Sequence, residues 1–232
     1  MNAPQRQRRA ALFDLDGTLL DTAPDMAAAL NSLRAEESLA ALDFAEIRCQ
    51  VSHGSNAVVR LGFPDAAGEE FEALRVRFLA IYRLDLASRT RAFPGFETTL
   101  TALESAGIPW GVVTNKPGWL TDPLLAALGL AGRAGCVVSG DSLPERKPHP
   151  RPLLVAAGLL GIDPAECIYV GDARRDIDAA LAAGMLPLGA RFGYLGPADD
   201  PASWPAAAWL DDPRELLPWF GLAADSGLTG HG

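Results

Sequence analysis

The stretch Ala10 to Thr18 reads Ala-Ala-Leu-Phe-Asp-Leu-Asp-Gly-Thr. Its short apolar run predicts a buried strand. The run ends in acidic residues and Gly17, a pattern typical of a strand that stops at a functional loop. We therefore expect the first strand to deliver Asp14 to a site at its carboxyl end.

The same pattern recurs three times downstream. Apolar runs end at polar or acidic residues in Trp110 to Val113 before Thr114-Asn115, Cys136 to Val138 before Ser139-Gly140-Asp141, and Cys167 to Val170 before Gly171-Asp172. Helical patterns alternate with these runs, at Phe96 to Ala106, Leu120 to Leu128, Pro152 to Leu160 and Asp176 to Ala183. This alternation predicts an α/β fold with a doubly wound parallel, Rossmann-like sheet. Right-handed crossovers then place all the strand ends at one edge, where such sheets bind ligands.

The segment 22–88 interrupts this alternation. It contains no strand pattern but several amphipathic helical stretches, at Asp25 to Glu37, Phe44 to Val51, Asn56 to Leu61 and Glu69 to Leu86. Phe93-Pro94-Gly95 marks the return to the main domain. We therefore predict a split core of residues 1–21 and 89–232, with a helical cap, residues 22–88, inserted after the first strand. The small, polar Gly221 to Gly232 tail is expected to be disordered.

Composition limits the possible partners. The 232 residues carry a net charge of -9, which argues against nucleic acid or an anionic membrane as a partner, because both attract clustered Lys and Arg. Three scattered cysteines fit a reduced thiol inventory better than a disulfide framework. The basic N-terminal stretch lacks the apolar run of a secretory signal and is expected to be a frayed arm. No apolar run is long enough to span a membrane, so we expect a soluble, cytoplasmic protein. As a separate expectation, the protein is a monomer or a homodimer.

Asp14 and Asp16 form the strongest candidate metal site. Two residues apart at the end of a strand, both carboxylates can face one pocket, where they would repel each other unless a cation lay between them. Carboxylate oxygens are the ligands that a hard ion such as magnesium prefers. Turn formation and helix capping are the structural alternative for such a pair. Asp172 supplies a third acid at a later strand end, whereas Asp176 could simply cap the next helix.

The two lysines are also informative, because the chain has eighteen arginines beside them. Lys147 lies in Arg146-Lys147-Pro148-His149-Pro150, where two prolines stiffen the loop that carries the cation. Lys116 follows the second strand pattern and is either functional or a solvated surface residue. Thr114 and Asn115 could donate to phosphate oxygens or act as plain caps. Glycine-rich nucleotide-binding motifs are absent from the sequence.

Taken in order, these strand-end signatures resemble those of the haloacid dehalogenase-like hydrolase superfamily over nearly the whole chain. The resemblance implies that Asp14 is a nucleophile and Asp16 an acid/base, and that Thr114 binds phosphate. It also implies that Lys147 orients the phosphate and that Asp172 holds Mg²⁺ together with Asp14 and the main-chain carbonyl of Asp16. The implied reaction is hydrolysis of a small phosphate ester through an aspartyl phosphate.

Within the superfamily, Asp16-Gly17-Thr18-Leu19-Leu20-Asp21-Thr22 and Val113-Thr114-Asn115-Lys116-Pro117 are similar to the phosphoglycolate phosphatase group. That group's relatives include N-acetylmuramic acid 6-phosphate phosphatases of peptidoglycan recycling. Arg191-Phe192-Gly193-Tyr194, with Asp200-Pro201 and Trp204, favours the second substrate. The main rival class is a phosphomutase, which by resemblance uses a cap lysine; residues 22–88 contain none.

The cap is expected to close over the site and to set substrate specificity. Its turn at Ser52, His53 and Gly54 opens a helix and could contact the leaving group. His53 departs from the smaller residue that the resemblance implies. Both candidate substrates carry a carboxylate, which Arg60 or His53 could meet, although Arg60 could equally be a solvated surface residue.

Overall fold

The computed structural model describes residues 7–197 and 199–223; the N-terminal six residues and most of the predicted C-terminal tail lie outside this part. The strands are β1 (Ala10–Phe13), β2 (Leu20–Asp21), β3 (Arg91–Ala92), β4 (Trp110–Val113), β5 (Cys136–Val138), β6 (Cys167–Gly171), β7 (Leu186–Ala190) and β8 (Ala208–Leu210). The α-helices are α1 (Ala23–Glu36), α2 (Phe44–Val51), α3 (Ser55–Gly62), α4 (Gly68–Leu84), α5 (Phe96–Ser105), α6 (Gly118–Ala127), α7 (Arg151–Leu160) and α8 (Arg174–Ala182). Short 3-10 helices lie at Pro164–Glu166, Pro201–Ser203 and Pro213–Phe220.

Six of the strands form one parallel sheet in the order β5-β4-β1-β6-β7-β8. The chain winds outward from β1 in one direction and then returns to wind in the other. This order leaves a crevice at the carboxyl end of β1, between β4 and β6. The α/β fold class predicted from the sequence is confirmed.

The central strand β1 is buried on both faces, as a strand of a covered parallel sheet must be. Ala11 and Phe13 pack into a cluster that continues through α5 and α6 and into the helices between β2 and β3. Ala10 and Leu12 pack on the opposite face against α7 and α8. The continuous apolar run at the start of the chain is explained by this double burial.

Four helices, α1 to α4, separate β2 from β3. These two strands pair with each other in antiparallel fashion, with Leu20 opposite Ala92, so they form the base through which the chain leaves and re-enters the core. The helices match the predicted cap helices to within a few residues. We refer to α1 to α4 as the cap; its limits at residues 22 and 88 remain a prediction.

Four of the eight strands described were not predicted: the short pair β2 and β3, and β7 and β8 of the six-stranded sheet. The strand β7 contains Pro187 and Gly189, residues that normally weaken a strand, and β8 has only three residues. A side chain at Gly189 would overlap the Trp209 ring, so the missing Cβ lets β8 pack closely. Among the described residues, no helix is long and apolar enough to cross a membrane.

Candidate active site

The ends of three neighbouring strands converge on the crevice. Asp14 follows β1, Thr114 follows β4 on one side, and Asp172 follows β6 on the other. The parallel register aligns Phe13 with Val112 and with Val170, so the three polar residues emerge at the same edge. The sequence prediction that these strand ends meet is borne out by the topology.

Three carboxylates form a buried cluster at this edge. Oxygen atoms of Asp14, Asp172 and Asp176 all lie within 4.8 Å of one another, and each side chain is almost fully shielded from solvent. Asp176 also caps α8, because its Oδ2 accepts a hydrogen bond from the Ala173 amide at 3.0 Å. The capping role proposed for Asp176 is therefore real, and the same residue belongs to the acidic cluster.

The ammonium of Lys147 lies beneath this cluster and is fully buried, with 0% of its side chain exposed. It forms ion pairs of 2.8 Å with Asp14 Oδ1 and with Asp176 Oδ1. It also donates to the Tyr169 hydroxyl at 2.8 Å, which in turn donates to the Val113 carbonyl at 2.8 Å. Lys147 is thus held rigidly against Asp14 rather than solvated at the surface.

The electrostatic environment shifts the pKa values of Asp14 and Asp172 in opposite directions. Burial alone would raise the pKa of Asp14, but attraction to Lys147 and Arg175 and hydrogen bonds from Lys147 and the Leu15 amide hold it below its ordinary value. Burial and the neighbouring carboxylates of Asp14 and Asp176 raise the pKa of Asp172 to about 7. Asp14 is therefore an anion at neutral pH, as a nucleophile must be.

The cluster fits a hard divalent cation. Asp172 Oδ2 accepts from the Ser52 hydroxyl at 2.6 Å and from the Tyr194 amide at 2.9 Å, whereas Oδ1 has only a long 3.4 Å contact with Thr18. One oxygen of Asp172 is thus available as a ligand. The negative charge of the three carboxylates exceeds the positive charge of the two nearby cations, Lys147 and Arg175. A cation among them would relieve the repulsion that raises the Asp172 pKa.

Glycines shape this cluster. A Cβ on Gly17, whose φ is +84°, or on Gly193 would overlap Asp172, and one on Gly171 would overlap Asp176. The acids can approach the strand ends only because these positions lack side chains. Gly17 in the predicted loop motif therefore has a steric role beside its conformational one.

Asp16 lies apart from the three clustered acids. Its Oδ1 accepts from the Thr22 hydroxyl at 2.6 Å and from the Lys116 ammonium at 2.8 Å, and its side chain is 17% exposed in the cavity. The acid/base role of its carboxylate remains a prediction. The carboxylate lies outside the acidic cluster, which leaves only the main-chain carbonyl of Asp16 as the predicted metal ligand. That part of the metal set remains a prediction.

Lys116 is buried and bridges core and cap. Besides Asp16, it donates to the Tyr82 hydroxyl of α4 at 3.1 Å and lies 4.7 Å from the centre of the Tyr82 ring. Burial would lower the pKa of Lys116, but the Asp16 carboxylate and the Tyr82 hydroxyl more than offset it and raise that pKa. The reading of Lys116 as a solvated surface lysine is wrong for this structure.

Thr114 and Asn115 occupy different positions. The hydroxyl of the buried Thr114 accepts from the Lys116 amide at 3.1 Å and borders the cavity. The Asn115 side chain spans the main chain of Lys147: its amide donates to the Lys147 carbonyl and its oxygen accepts from the Lys147 amide, both at 3.0 Å. Asn115 therefore positions the lysine loop, and its predicted contact with substrate would need a main-chain group.

The predicted cap residues surround the site unevenly. Ser52 contacts the acidic cluster directly, whereas His53 is exposed and Gly54, with φ +84°, begins α3; all three line the cavity. Arg60 stacks 4.1 Å from the centre of the Phe71 ring and donates to the Ala66 carbonyl. Arg60 is thus engaged within the cap and does not itself line the cavity, although its partner Phe71 does.

The cavity itself measures about 960 Å³ and lies between the cap and the strand ends. Asp14, Asp16 and Thr114 line its base, and α4 together with the start of α6 provides its walls. Apolar side chains of Val76, Leu79, Trp119 and Leu120 contribute to these walls, beside the charged side chains of α4, Glu72, Arg75 and Arg83. The cavity therefore combines an acidic base with walls that are partly apolar.

Two residues with prominent roles were missed by the reasoning on chemistry. Tyr194 forms hydrogen bonds to both the core and the cap. In the core, its amide donates to Asp172 and its hydroxyl donates to Asp21 Oδ1 at 2.7 Å. That hydroxyl also accepts from the amide of Ala23, the first residue of cap helix α1, at 2.9 Å. Arg175 lines the cavity with its guanidinium 3.8 Å from Asp14 Oδ2. In the sequence, only the position of Arg175 between Asp172 and Asp176 indicates that it could lie at the site.

Comparison with known proteins agrees with this geometry. The sequence profile of the haloacid dehalogenase-like hydrolases matches residues 11–190. The chain is 46% identical over 208 residues to a phosphoglycolate phosphatase of Xanthomonas campestris pv. campestris, covering 90% of this chain and 94% of that protein. It is 42% identical over 223 residues to an N-acetylmuramic acid 6-phosphate phosphatase of Pseudomonas putida, covering 96% and 98%.

A crystal structure described as a predicted phosphoglycolate phosphatase from Haemophilus somnus superposes with a TM-score of 0.82 at 30% identity, covering 91% of this chain and 97% of that one. The matched region contains both the strand-end acids and the inserted cap. The chain therefore belongs to the haloacid dehalogenase-like hydrolase family.

Proposed function

We propose that this phosphoric monoester hydrolase is magnesium-dependent and removes phosphate from N-acetylmuramic acid 6-phosphate, a step of peptidoglycan recycling. The observation that carries the proposal is the position of Asp14, an anion paired with buried Lys147 at the base of a cavity of about 960 Å³. This arrangement supports Asp14 as nucleophile and Asp16 as acid/base, and the volume of the cavity supports a large phosphate ester as substrate.

The chemistry follows from the positions of two carboxylates. Asp14 attacks phosphorus as the ester bond breaks, and Asp16 gives its proton to the departing alkoxide. Asp16, now a base, takes a proton from water as that water attacks the aspartyl phosphate and returns Asp14 to its free form. Lys116 and Thr22 fix the Asp16 carboxylate for both steps through the bonds on Oδ1.

Other groups offset the negative charge that accumulates at the site. Lys147 offsets the negative charge that Asp14 and the substrate bring together. Magnesium held by Asp14 and Asp172, with Asp176 and the Asp16 carbonyl as further ligands, would supply the larger part of that compensation. The cap helices cover the site and limit the access of water during the first step.

The cavity supports a sugar-sized substrate. A volume of about 960 Å³ is at the upper end of the range for small-molecule sites, far more than a two-carbon phosphate ester fills. Trp119 leaves 41% of its surface exposed and Val76 leaves 55% exposed, and both residues line the cavity. An aromatic ring at such a wall suits the apolar face of a pyranose and the methyl group of an N-acetyl substituent.

Phosphoglycolate phosphatase is the second candidate. The relatives with that name include the one at 46% identity, so the cap of this chain could equally serve 2-phosphoglycolate. A phosphomutase is less well supported, because the cap lysine that such enzymes are expected to use is absent from residues 22–88.

The test is magnesium-dependent phosphate release from four esters: N-acetylmuramic acid 6-phosphate, 2-phosphoglycolate, glucose 6-phosphate and glucose 1-phosphate. Parallel reactions contain EDTA or the Asp14→Asn variant. The proposal predicts the highest kcat/KM for the muramic acid ester. A higher kcat/KM for 2-phosphoglycolate would overturn the substrate assignment, and interconversion of the glucose phosphates without net phosphate release would overturn hydrolysis itself.

A further inference from the structure

Arg175 is the second residue of α8 and lies between two members of the acidic cluster. Its side chain is only 23% exposed, yet it lines the cavity beside Asp14. Its neighbour Arg174 points to the surface, is 54% exposed, and pairs with Asp178 at 3.2 Å. The two adjacent arginines thus have opposite environments, and only Arg175 faces the site.

The guanidinium of Arg175 is not fully used by the protein. Its closest acidic contact is 3.8 Å from Asp14 Oδ2, longer than a hydrogen bond. Its Nε is buried and has no hydrogen-bond partner among the residues that the structure describes. Buried donors are almost always satisfied, so a guanidinium left in this condition indicates a ligand that completes its contacts.

The two carboxylate oxygens of Asp14 differ in their hydrogen-bond partners. Oδ1 accepts from the Leu15 amide at 2.7 Å and pairs with Lys147 at 2.8 Å. Within the described part of the chain, Oδ2 has no hydrogen bond and only the 3.8 Å contact with Arg175. Oδ2 is therefore the oxygen free to attack, and Arg175 is the cation beside it.

The positions of the two cations suggest different tasks. Lys147 is fully buried beneath Asp14, where it stabilises the nucleophile, whereas Arg175 borders the space into which the substrate enters. A phosphoryl group in line with Oδ2 would lie about 3 to 3.5 Å from that atom before reaction. Its non-bridging oxygens would then be within reach of the guanidinium, whose planar fork matches phosphate geometry.

We propose that Arg175 is a further catalytic residue, which binds non-bridging oxygens of the phosphoryl group during its transfer to Asp14. The bond from Asp14 Oδ2 to phosphorus forms as the ester bond breaks, and the leaving oxygen takes its electron pair and the proton of Asp16. Arg175 stabilises the charge on the equatorial oxygens and exchanges no proton. The inference rests on Asp14 as nucleophile but not on the identity of the natural ester.

The experiment compares Arg175→Ala, Arg175→Gln and Arg175→Lys with the matched control Arg174→Ala. Steady-state hydrolysis of p-nitrophenyl phosphate gives kcat and KM, and orthovanadate, which adopts the geometry of the transferring phosphoryl group, gives an inhibition constant. We expect Arg175→Ala and Arg175→Gln to lower kcat/KM by roughly a hundredfold. Vanadate inhibition should weaken in parallel, added guanidinium should restore part of the activity of Arg175→Ala, and Arg174→Ala should resemble the wild type.

Three outcomes would overturn the inference. The first is wild-type kcat/KM in Arg175→Gln; the second is lost activity with unchanged vanadate inhibition, which indicates a structural role. The third is full activity in Arg175→Lys, because a lysine cannot form the bidentate contact. Asp14→Asn is included so that the proposed function is tested separately: activity in that variant would refute the nucleophile, whatever Arg175 does. Thermal midpoints of all the variants identify any loss of folding.

Discussion

The hydroxyl of Ser52, in the cap, donates a 2.6 Å hydrogen bond to Asp172 Oδ2, in the core. A residue of the cap thus contacts a carboxylate of the acidic cluster directly. Because Asp172 lies within 4.8 Å of Asp14, the position of the cap and the state of the cluster are physically linked.

Removing this contact should impair catalysis without unfolding the core. A hydrogen bond to a charged group contributes about 1.5 to 3 kcal/mol, so Ser52→Ala should lower kcat/KM by roughly tenfold or more. Steady-state kinetics with p-nitrophenyl phosphate measures the effect. Ser55→Ala is the matched control, since Ser55 also lines the cavity but has no such bond to the cluster. Equal kinetics in the two variants would refute a role for the Ser52 contact.

Asn115 and Lys147 should act as one unit, because the Asn115 side chain makes two 3.0 Å hydrogen bonds to the main chain of Lys147, one to its carbonyl and one from its amide. We expect Lys147→Ala to lower kcat by roughly a hundredfold or more. Asn115→Ala should lower kcat with little change in KM, and the double variant should be no worse than Lys147→Ala alone. Additive losses, or a rise in KM for Asn115→Ala, would instead indicate that the Asn115 side chain binds the substrate.

Magnesium affinity should depend on pH through Asp172, whose pKa lies near 7 because of burial and the two neighbouring carboxylates. Below that pH the carboxyl keeps its proton, which a metal ion must displace. The apparent dissociation constant for magnesium should therefore be higher at pH 6 than at pH 8, by roughly tenfold for one titrating group. Calorimetry in two buffers of different ionisation enthalpy should also detect proton release at pH 6. An affinity independent of pH, with no proton release, would contradict this.

Trp119 should contribute to recognition of a large ester. Trp119→Ala removes the exposed aromatic surface of the cavity wall and should lower kcat/KM for N-acetylmuramic acid 6-phosphate by roughly tenfold. Hydrolysis of 2-phosphoglycolate, a much smaller ester without a sugar ring, should be unaffected. Leu84→Ala is a suitable control, because Leu84 is 87% exposed and does not line the cavity. A loss that is equal for both esters would argue against a role in specificity.

The sequence predicted the parts of the site that depend on topology. Continuous apolar runs ending in polar residues identified β1, β4, β5 and β6, and parallel strands necessarily bring their carboxyl ends together. Helical periodicity likewise located all four cap helices. By contrast, the sequence pattern does not predict β7, because Pro187 and Gly189 are atypical of a strand. In the structure the Trp209 ring of β8 packs closely over Gly189.

Side-chain partners could not be predicted in the same way. Asn115 reaches Lys147 across 32 residues of sequence, and Lys116 meets Tyr82 across 34, so neither contact follows from local spacing. For this reason the sequence predicts Asn115 only as a phosphate donor or a plain cap, and it does not decide whether Lys116 is functional or a surface residue. Arg175 was overlooked because, in sequence, it cannot be distinguished from the surface residue Arg174.

The central claim is that phosphate passes through Asp14. The most direct measurement is acid quenching during the first turnover with N-acetylmuramic acid 6-phosphate and magnesium, followed by peptide mass spectrometry. The Asp16→Ala variant is tested in parallel with p-nitrophenyl phosphate, whose leaving group needs no proton, because loss of the base should then slow only hydrolysis of the intermediate. The account predicts a phosphoryl group on the peptide containing Asp14 and on Asp14 itself. Rapid turnover with phosphorylation elsewhere, or with hydrolysis retained in Asp14→Asn, would contradict it.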